Sequence, residues 1–118
     1  MKHGFLILLL AAFVAGYPGF RAATSPSSTP GNLPAADAAQ LYEKQCASCH
    51  GKDGRAKTIK GKLKHARNLT DGEWQEKVSD ERIFNSIMNG KGKMPAYSKK
   101  LSQQEIESLV TYVRTLKK

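Results

Sequence analysis

The sequence is short, has few cysteines and few acidic residues, and lacks a long apolar run. Its 118 residues include only two cysteines, Cys46 and Cys49, too few and too close together to form a disulfide framework. No span of about 20 apolar residues is present for an ordinary transmembrane helix. Acidic residues are also few, with 10 Asp and Glu against 19 Lys and Arg, a formal net charge of +9. The length allows one small domain and excludes multidomain enzymes and pores.

The N-terminal third is predicted to lie outside the folded domain. A charged start precedes eleven consecutive apolar residues, which is typical of a secretory signal. We place cleavage near Gly16, so that residues 1–16 form the signal peptide, with Ala23 as the latest site. Residues 17–36 are rich in Ser, Thr and Pro and are predicted to be a flexible leader before a folded domain at 37–118. The chain is therefore expected to be periplasmic or otherwise exported, and membrane-tethered only if its N-terminus is retained.

The folded domain shows helical patterns and no strand pattern. Asp37 is predicted to cap a first helix that ends at the cysteines. Capping signals beginning at Thr70, Ser79 and Ser102 predict three more helices, the last of them amphipathic. Residues 51–70 show neither helical nor strand periodicity and are predicted to be a long wrapped loop. The domain is therefore expected to be all-α.

A helical domain of roughly 80 residues has too little apolar material for a secure core. Below about 80 residues a single hydrophobic core is marginal unless a metal, disulfides or another insert supports it. We therefore expect a bound group to form the centre of the core.

Cys46, Cys49 and His50 form the Cys-X-X-Cys-His pattern of covalent c-type haem attachment. Two thiols three residues apart at a helix end can add to the two vinyl groups along one porphyrin edge, and the next imidazole then points at the iron. We predict that Cys46 and Cys49 form the thioethers to a single haem c. His50 is predicted to be the proximal iron ligand.

Other uses of two cysteines fit the sequence less well. A structural zinc site needs four Cys or His ligands, and beyond this cluster the chain offers only His65 and His3. A thioredoxin-like redox pair needs a βαβ context, which the pattern does not predict.

Met94 is predicted to be the distal iron ligand. It lies in a glycine-rich loop, where Gly90 and Gly92 would let the backbone approach the flat ring and Pro95 would hold the following turn. Methionine and histidine together leave no open iron position, which suits reversible electron transfer. His65 is the rival ligand, although its basic surroundings favour solvent exposure.

Two further side chains have structural and functional interpretations. Met88 shares a helical face with Phe84 and Ile87, so we interpret it as a core residue. Trp74 could donate its indole N–H to a haem propionate or could cap the core.

These motifs resemble the class I c-type cytochromes, specifically the small single-haem bacterial type. The resemblance covers about residues 37–116 and rests on the haem motif with Gly51, on Asn68-Leu69-Thr70, on Ser79-Asp80-Glu81-Arg82-Ile83, on Asn89-Gly90 to Met94-Pro95, and on the ending Leu109 to Leu116. It implies a cytochrome c fold of three to four helices wrapped around one covalently bound haem, with the first and last helices crossing beside it.

The resemblance also implies contacts at that crossing. Ala38 would be the small residue where the helices cross, and Tyr42 would pack against Leu109 and Tyr112. The chain departs from many members of the family because no proline follows the haem motif in the next loop. The acceptor for the proximal imidazole is therefore not identified by the sequence, although any backbone carbonyl could serve.

The sequence predicts an exported monohaem c-type cytochrome that transfers single electrons between redox partners and is not itself an enzyme. One alternative is a haem protein that binds a small ligand or peroxide, with Met94 detached or replaced by His65 or a lysine. Another is a non-haem basic protein that binds nucleic acid or membranes, which the charge alone would allow. The haem motif and the predicted export favour the electron carrier, with no nucleic-acid partner.

Basic residues are concentrated in two loops that are expected to surround the haem edge. Opposite charge speeds the formation of short-lived complexes, so we predict redox partners with an acidic docking surface. The basic residues of the first loop are Lys52, Arg55, Lys57, Lys60, Lys62, Lys64 and Arg67, and those of the second are Lys91, Lys93, Lys99 and Lys100.

Overall fold

The structure is a computed structural model that describes residues 34–118. The predicted signal peptide and all but the last residues of the predicted leader lie outside the described residues. The described part folds into the helices α1 (Ala35–Gln45), α2 (Ala47–His50), α3 (Ile59–Lys64), α4 (Gly72–Lys77), α5 (Asp80–Asn89) and α6 (Gln103–Thr115). Over the same residues it contains no strand, and no helix there is long and apolar enough to cross a membrane. The all-α prediction is confirmed, with six helical segments where three to four were expected.

Helix α1 begins before the residue that the sequence predicts as its cap. Pro34 is the N-cap, and its carbonyl accepts the N–H groups of Asp37 and Ala38 at 2.9 and 3.1 Å. Asp37 lies in the first turn instead, where a carboxylate interacts favourably with the positive end of the helix dipole. The prediction of Asp37 as the N-cap was therefore wrong.

The caps of α5 and α6 are confirmed. The hydroxyl of Ser79 accepts the N–H of Arg82 at 3.2 Å. Ser102 and Glu105 form a complete capping box, since each side chain accepts the other residue's main-chain N–H. These two helices begin where the sequence predicts because both signals are local and self-contained.

Helix α4 begins one residue later than predicted. Asp71, rather than Thr70, is the N-cap, and its carboxylate accepts the N–H of Trp74 at 3.1 Å. The hydroxyl of Thr70 instead donates to the amide oxygen of Asn68 at 2.8 Å. Thr70 therefore closes the preceding turn and cannot cap the helix.

Helix α3 lies inside the segment that was predicted to be irregular throughout. Thr58 caps it by accepting the N–H of Gly61 at 2.9 Å. Gly61 is the helix's one buried residue, and Ile59 and Leu63 face solvent. Helical periodicity could not reveal α3, because the helix has no buried apolar face.

The core lies where α1 packs against α6. Ala38 and Tyr42 are buried on α1, and the Tyr42 ring lies 4.9 Å from that of Tyr112, measured between centroids. Tyr42 and Leu109 belong to one buried cluster, each 1% exposed. The expected packing of Tyr42 in the cluster with Leu109 and against Tyr112 is confirmed, and Ala38 is buried on the same helix.

A polar cluster fastens α4 and the start of α5 to α6. The buried Gln75 amide donates to the carbonyls of Leu69 and Val113 at 2.8 and 2.9 Å. The Arg114 guanidinium donates in turn to the Gln75 carbonyl at 2.6 Å and to the Val78 carbonyl at 2.7 Å. The Arg114 bonds satisfy main-chain acceptors at the end of the short helix α4 that would otherwise be unpaired.

Candidate functional site

An open cavity of about 670 Å³ lies beside the helix crossing. Cys46, Cys49, His50 and Met94 all line it. The first three come from the turn and helix that follow α1, whereas Met94 comes from a loop more than 40 residues later in the chain. The structure therefore brings together every side chain that the sequence predicts at the site.

The His50 imidazole is held by a main-chain group. Its Nδ1 lies 2.9 Å from the carbonyl oxygen of Arg67. Because a carbonyl can only accept, Nδ1 carries the proton and Nε2 is the nitrogen left for a metal ion. Burial lowers the pKa of His50 below its ordinary value, and the bond to Arg67 acts in the opposite direction. The neutral imidazole that ligation requires is thus favoured.

The two cysteines lie on one side of a single helical turn. Cys46 ends α1, with its N–H bonded to the Tyr42 carbonyl at 2.8 Å, and it also precedes α2. Cys49 follows three residues later, a spacing that places both side chains on neighbouring positions of a helix. Neither forms a disulfide. Burial, with a smaller contribution from Cys49, raises the pKa of the Cys46 thiol to about 12.

Neighbouring segments fix this turn from both sides. The Tyr42 hydroxyl donates to the Gly51 carbonyl at 2.8 Å, and the Thr58 hydroxyl lies 2.9 and 3.0 Å from the carbonyls of Ser48 and Cys49. A Cβ at Gly61 would lie 2.1 Å from the Cys49 carbonyl oxygen, so only glycine allows α3 to pack here. The haem motif is therefore positioned by main-chain carbonyls that each have a specific partner.

The Met94 loop is a tight turn closed by its own backbone. Lys91 and Met94 exchange two N–H···O bonds of 3.1 and 3.0 Å. Gly90 has a φ of 76°, and a Cβ there would lie 2.7 Å from the Met94 carbonyl oxygen. Only glycine therefore lets the loop pack on itself here, a contact that the sequence did not predict.

Tyr97 ties this loop to two helices. Its hydroxyl donates to the Gln45 carbonyl at 2.9 Å, at the end of α1, and its N–H donates to the Ile87 carbonyl at 3.0 Å. The sequence gives no role to Tyr97, which is half-buried against the core. The available signal was an aromatic residue just after a candidate ligand loop. Met94 is thus held by a loop that is anchored on both sides.

The other candidate residues take different positions. His65 also lines the cavity, but it is exposed and ends α3 with a left-handed φ of 54°. Trp74 lines the cavity too, with the Arg67 guanidinium carbon 5.9 Å from its ring centroid. Met88 is half-buried against the core and is not among the residues that line the cavity.

Among the described residues, the Lys, Arg, Asp and Glu side chains that line the cavity are all Lys or Arg. Helices α4 and α5 contribute Lys77 and Arg82, which lie outside the two loops predicted to surround the haem edge. The full set is Lys60, Lys64, Arg67, Lys77, Arg82, Lys91 and Lys93.

The remaining basic residues of the two predicted loops do not line the cavity. Lys52 pairs with Glu43 on α1, and Arg55 lies 3.8 Å from a carboxylate oxygen of Asp53. Those two cations therefore interact with acids of the chain itself. The members that do not line the cavity are Lys52, Arg55, Lys57, Lys62, Lys99 and Lys100.

The cavity fits a covalently bound haem. Its volume lies within the range of about 300–1,000 Å³ that is common for cofactor sites. Buried apolar side chains, including Leu69, Ile83, Ile87 and Leu109, form part of its wall. Two free thiols, an imidazole with Nε2 uncommitted and a thioether all face the same space, which is the donor set of a c-type haem site.

Comparisons with known proteins give the same result. The family model described as cytochrome c oxidase, cbb3-type, subunit III matches residues 33–113. The chain is 38% identical over 91 residues to the cbb3-type cytochrome c oxidase subunit FixP of Azorhizobium caulinodans, covering 75% of this chain but 30% of that subunit. It is 34% identical to cytochrome c6 of Leptolyngbya boryana, covering 67% of this chain and 88% of that protein.

A solved structure extends the likeness to the fold. The KustC0563 c-type cytochrome is 40% identical and superposes with a TM-score of 0.64, over 69% of this chain and 98% of that one. The chain spans about a third or less of the length of the cbb3 oxidase subunits that it matches. The cytochrome c fold and the covalently bound haem c expected from the sequence are thereby confirmed. The chain belongs to the c-type cytochromes, as a small class I member that carries haem c.

Proposed function

We propose that the chain is an exported single-electron carrier whose haem iron is held between His50 and Met94. Cys46 and Cys49 form the two thioether bonds. The observation that carries this proposal is the convergence of all four side chains on one cavity, with Nδ1 of His50 already bonded to Arg67. Haem-based electron transfer follows from the family, and the ligand assignment is our addition to it.

The haem supplies a reversible one-electron iron couple, and the protein's own residues set the conditions for it. The Arg67 carbonyl keeps the proton of His50 on Nδ1, which orients the ring and raises its basicity as a ligand. The turn from Lys91 to Met94 and the anchors of Tyr97 hold the thioether in place. A fixed ligand pair limits reorganisation between the two oxidation states, which favours fast electron exchange.

An alternative function, binding of a small ligand or peroxide, would require an open iron position. In that case Met94 would have to leave the site, or His65 or a lysine would have to replace it. The Met94 loop is tied by the paired Lys91–Met94 bonds and by the Tyr97 hydroxyl. These contacts favour permanent ligation by Met94 and hence the electron carrier.

The basic lining of the cavity supports redox partners with an acidic docking surface. Such partners would be steered towards the haem edge through a small, short-lived interface. The similarity to subunits of cbb3-type oxidases supports a place in a respiratory electron-transfer chain. We also propose that the chain is exported. Cleavage of the N-terminal segment would release it, and retention of that segment would tether it to the membrane.

The experiment that tests this function starts from the purified full-length protein. After acid–acetone extraction the haem should stay with the polypeptide, and a pyridine haemochrome spectrum should report a c-type haem. Cyclic voltammetry should give one reversible one-electron wave. Haem lost to the acetone phase, or a ferric spectrum that changes on adding cyanide or peroxide at low concentration, would contradict the proposal.

The variant Cys46→Ala/Cys49→Ala supplies the matched control. Without the thioethers the chain should yield no holoprotein, and its circular dichroism should show little ordered helix, because the haem forms the centre of a small core. A cooperatively folded apoprotein would show that the helices do not depend on the haem.

A further inference from the structure

Two large apolar side chains face solvent on α3. Ile59 is 81% exposed and Leu63 is 69% exposed. They lie four residues apart and therefore share one face of the helix. The buried side of the helix is Gly61, where no Cβ could fit against the Cys49 carbonyl. The packing of Gly61 thus keeps the apolar pair turned outward.

Lysines flank the apolar pair on both sides. At about 100° per residue, Lys60 and Lys64 lie on the side of α3 that lines the cavity, and Lys62 lies on the other side. We call this surface the α3 patch; it consists of Ile59, Lys60, Lys62, Leu63 and Lys64. No acidic residue belongs to it.

The second basic loop reaches the same patch. The Lys93 ammonium donates to the Leu63 carbonyl at 3.2 Å, across 30 residues of chain. The loop that carries Met94 and the α3 patch are therefore in direct contact at the mouth of the cavity. A partner seated on the α3 patch would lie next to both walls of the haem site.

We propose that the α3 patch is the centre of the docking interface for an acidic redox protein, with Ile59 and Leu63 as the contact that loses its water. This inference rests on the proposed electron-transfer function and adds the site of contact. Protein interfaces commonly combine an apolar centre with a polar rim, and a few central side chains carry most of the binding energy. The lysines of the patch supply a rim of one sign, so the complementary partner surface carries carboxylates around a shallow apolar area.

A protein surface suits this patch better than a lipid surface. Helices that lie in a membrane interface bury a long apolar face, often with aromatic residues. Helix α3 has six residues, and its apolar face consists of two aliphatic side chains. The patch is large enough for the centre of a small transient interface and too short for membrane anchoring.

The test uses site-specific photo-crosslinking in cells that express the full-length holoprotein. Benzoylphenylalanine replaces Ile59 in one variant and Thr111, an exposed residue of α6, in the matched control. Conjugates are identified by mass spectrometry. We expect the Ile59 variant, and not the Thr111 variant, to capture a redox protein through a peptide rich in Asp and Glu.

The captured partner then serves in a kinetic test. At about 200 mM salt, where charges are screened beyond a Debye length of under 10 Å, Ile59→Ser/Leu63→Ser should slow electron transfer about tenfold. At low salt the same variant should stay within about twofold of the parent, because charge attraction then dominates the encounter. The control Thr111→Ser/Thr115→Ser changes two exposed α6 positions at the same spacing and should behave like the parent.

Several results would overturn the α3 patch as a docking centre. In the crosslinking test these are no capture from position 59, equal capture from both positions, capture of lipid alone, or capture of a protein that is not a redox protein. In the kinetic test it is a rate for Ile59→Ser/Leu63→Ser at high salt that equals the rate of the parent. Failure of the electron-transfer function itself would look different, since the unmodified protein would then lack a c-type haem spectrum or a reversible voltammetric wave.

Discussion

The Nδ1 atom of His50 lies 2.9 Å from the main-chain carbonyl oxygen of Arg67, 17 residues further along the chain. A carbonyl at this position makes an imidazole more basic, which stabilises the higher oxidation state of a bound metal. The carbonyl is held by its neighbours: the Asn68 amide oxygen accepts both the N–H and the hydroxyl of Thr70. Under the proposed ligation of the iron by His50, the 67–70 turn sets how strongly the imidazole donates to the metal.

Asn68→Ala should raise the reduction potential. The loss of two hydrogen bonds should loosen the turn and weaken the hydrogen bond from His50 to Arg67. The imidazole then becomes less basic and donates less electron density to the iron. We also expect a loss of about 1–2 kcal/mol in the free energy of unfolding. Arg67→Ala is the control: it keeps the carbonyl but removes a cation from the cavity wall, so the potential should fall. Shifts of the same sign in both variants, measured by voltammetry, would rule out this explanation.

Met94→Ala should change the spectrum, whereas Met88→Ala should change stability. Without the thioether of Met94 the weak near-infrared band of the ferric protein should disappear and the potential should fall. Met88 packs against the core, half-buried, so its loss should cost about 1–2 kcal/mol and leave the band in place. An unaltered Met94→Ala spectrum would transfer the distal role to another residue, with His65 the first to test.

Gly61→Ala should strongly reduce the yield of holoprotein. The added Cβ would lie 2.1 Å from the Cys49 carbonyl oxygen, so α3 would have to leave the haem motif at a cost of about 3 kcal/mol. Gly92→Ala is matched in size, but nothing lies within 4 Å of its Cβ. Because alanine would adopt the left-handed φ of 58°, this variant should lose only about 1 kcal/mol in the free energy of unfolding. Haem absorbance per total protein compares the two variants, and similar yields would show that α3 is not tightly packed.

Charge reversal in the cavity wall should slow reaction with an anion. With hexacyanoferrate as the probe, Lys60→Glu/Lys64→Glu should lower the bimolecular rate at about 10 mM salt, and the effect should largely vanish at about 200 mM. Lys99→Glu/Lys100→Glu makes the same change in net charge away from the cavity and should have a smaller effect. Stopped-flow traces that show equal slowing for both pairs would mean that only total charge matters.

Arg114→Met should destabilise the fold without a spectral change. The guanidinium donates hydrogen bonds to the carbonyls of Gln75 and Val78. Its removal leaves these half-buried acceptors unpaired and should lower the free energy of unfolding by about 2–3 kcal/mol. Lys117→Ala breaks only the exposed pair with Glu76 and should cost less than about 1 kcal/mol. Denaturant unfolding of the two holoproteins measures the difference. A loss of similar size in both would show that the Arg114 cluster is no stronger than a surface ion pair.

Much of this protein could be predicted from short stretches of its sequence. Haem attachment needs two thiols and an imidazole at a fixed spacing, so Cys46, Cys49 and His50 identify it without any knowledge of the fold. Helix caps such as Ser79 and the box of Ser102 are equally local, and they appear where predicted. Local chemistry leaves a signature in neighbouring residues, and that signature determined the all-α class, the cofactor and the family.

Only the tertiary structure decided what holds and surrounds the site. The acceptor for His50 is the carbonyl of Arg67, and every residue has a carbonyl, so no side-chain pattern could identify it. Helix α3 escaped detection because its one buried residue is a glycine, and Gly90 serves a contact with Met94 that depends on how the loop folds back. These features arise where segments distant in sequence meet, and their partners are known only once the chain has packed.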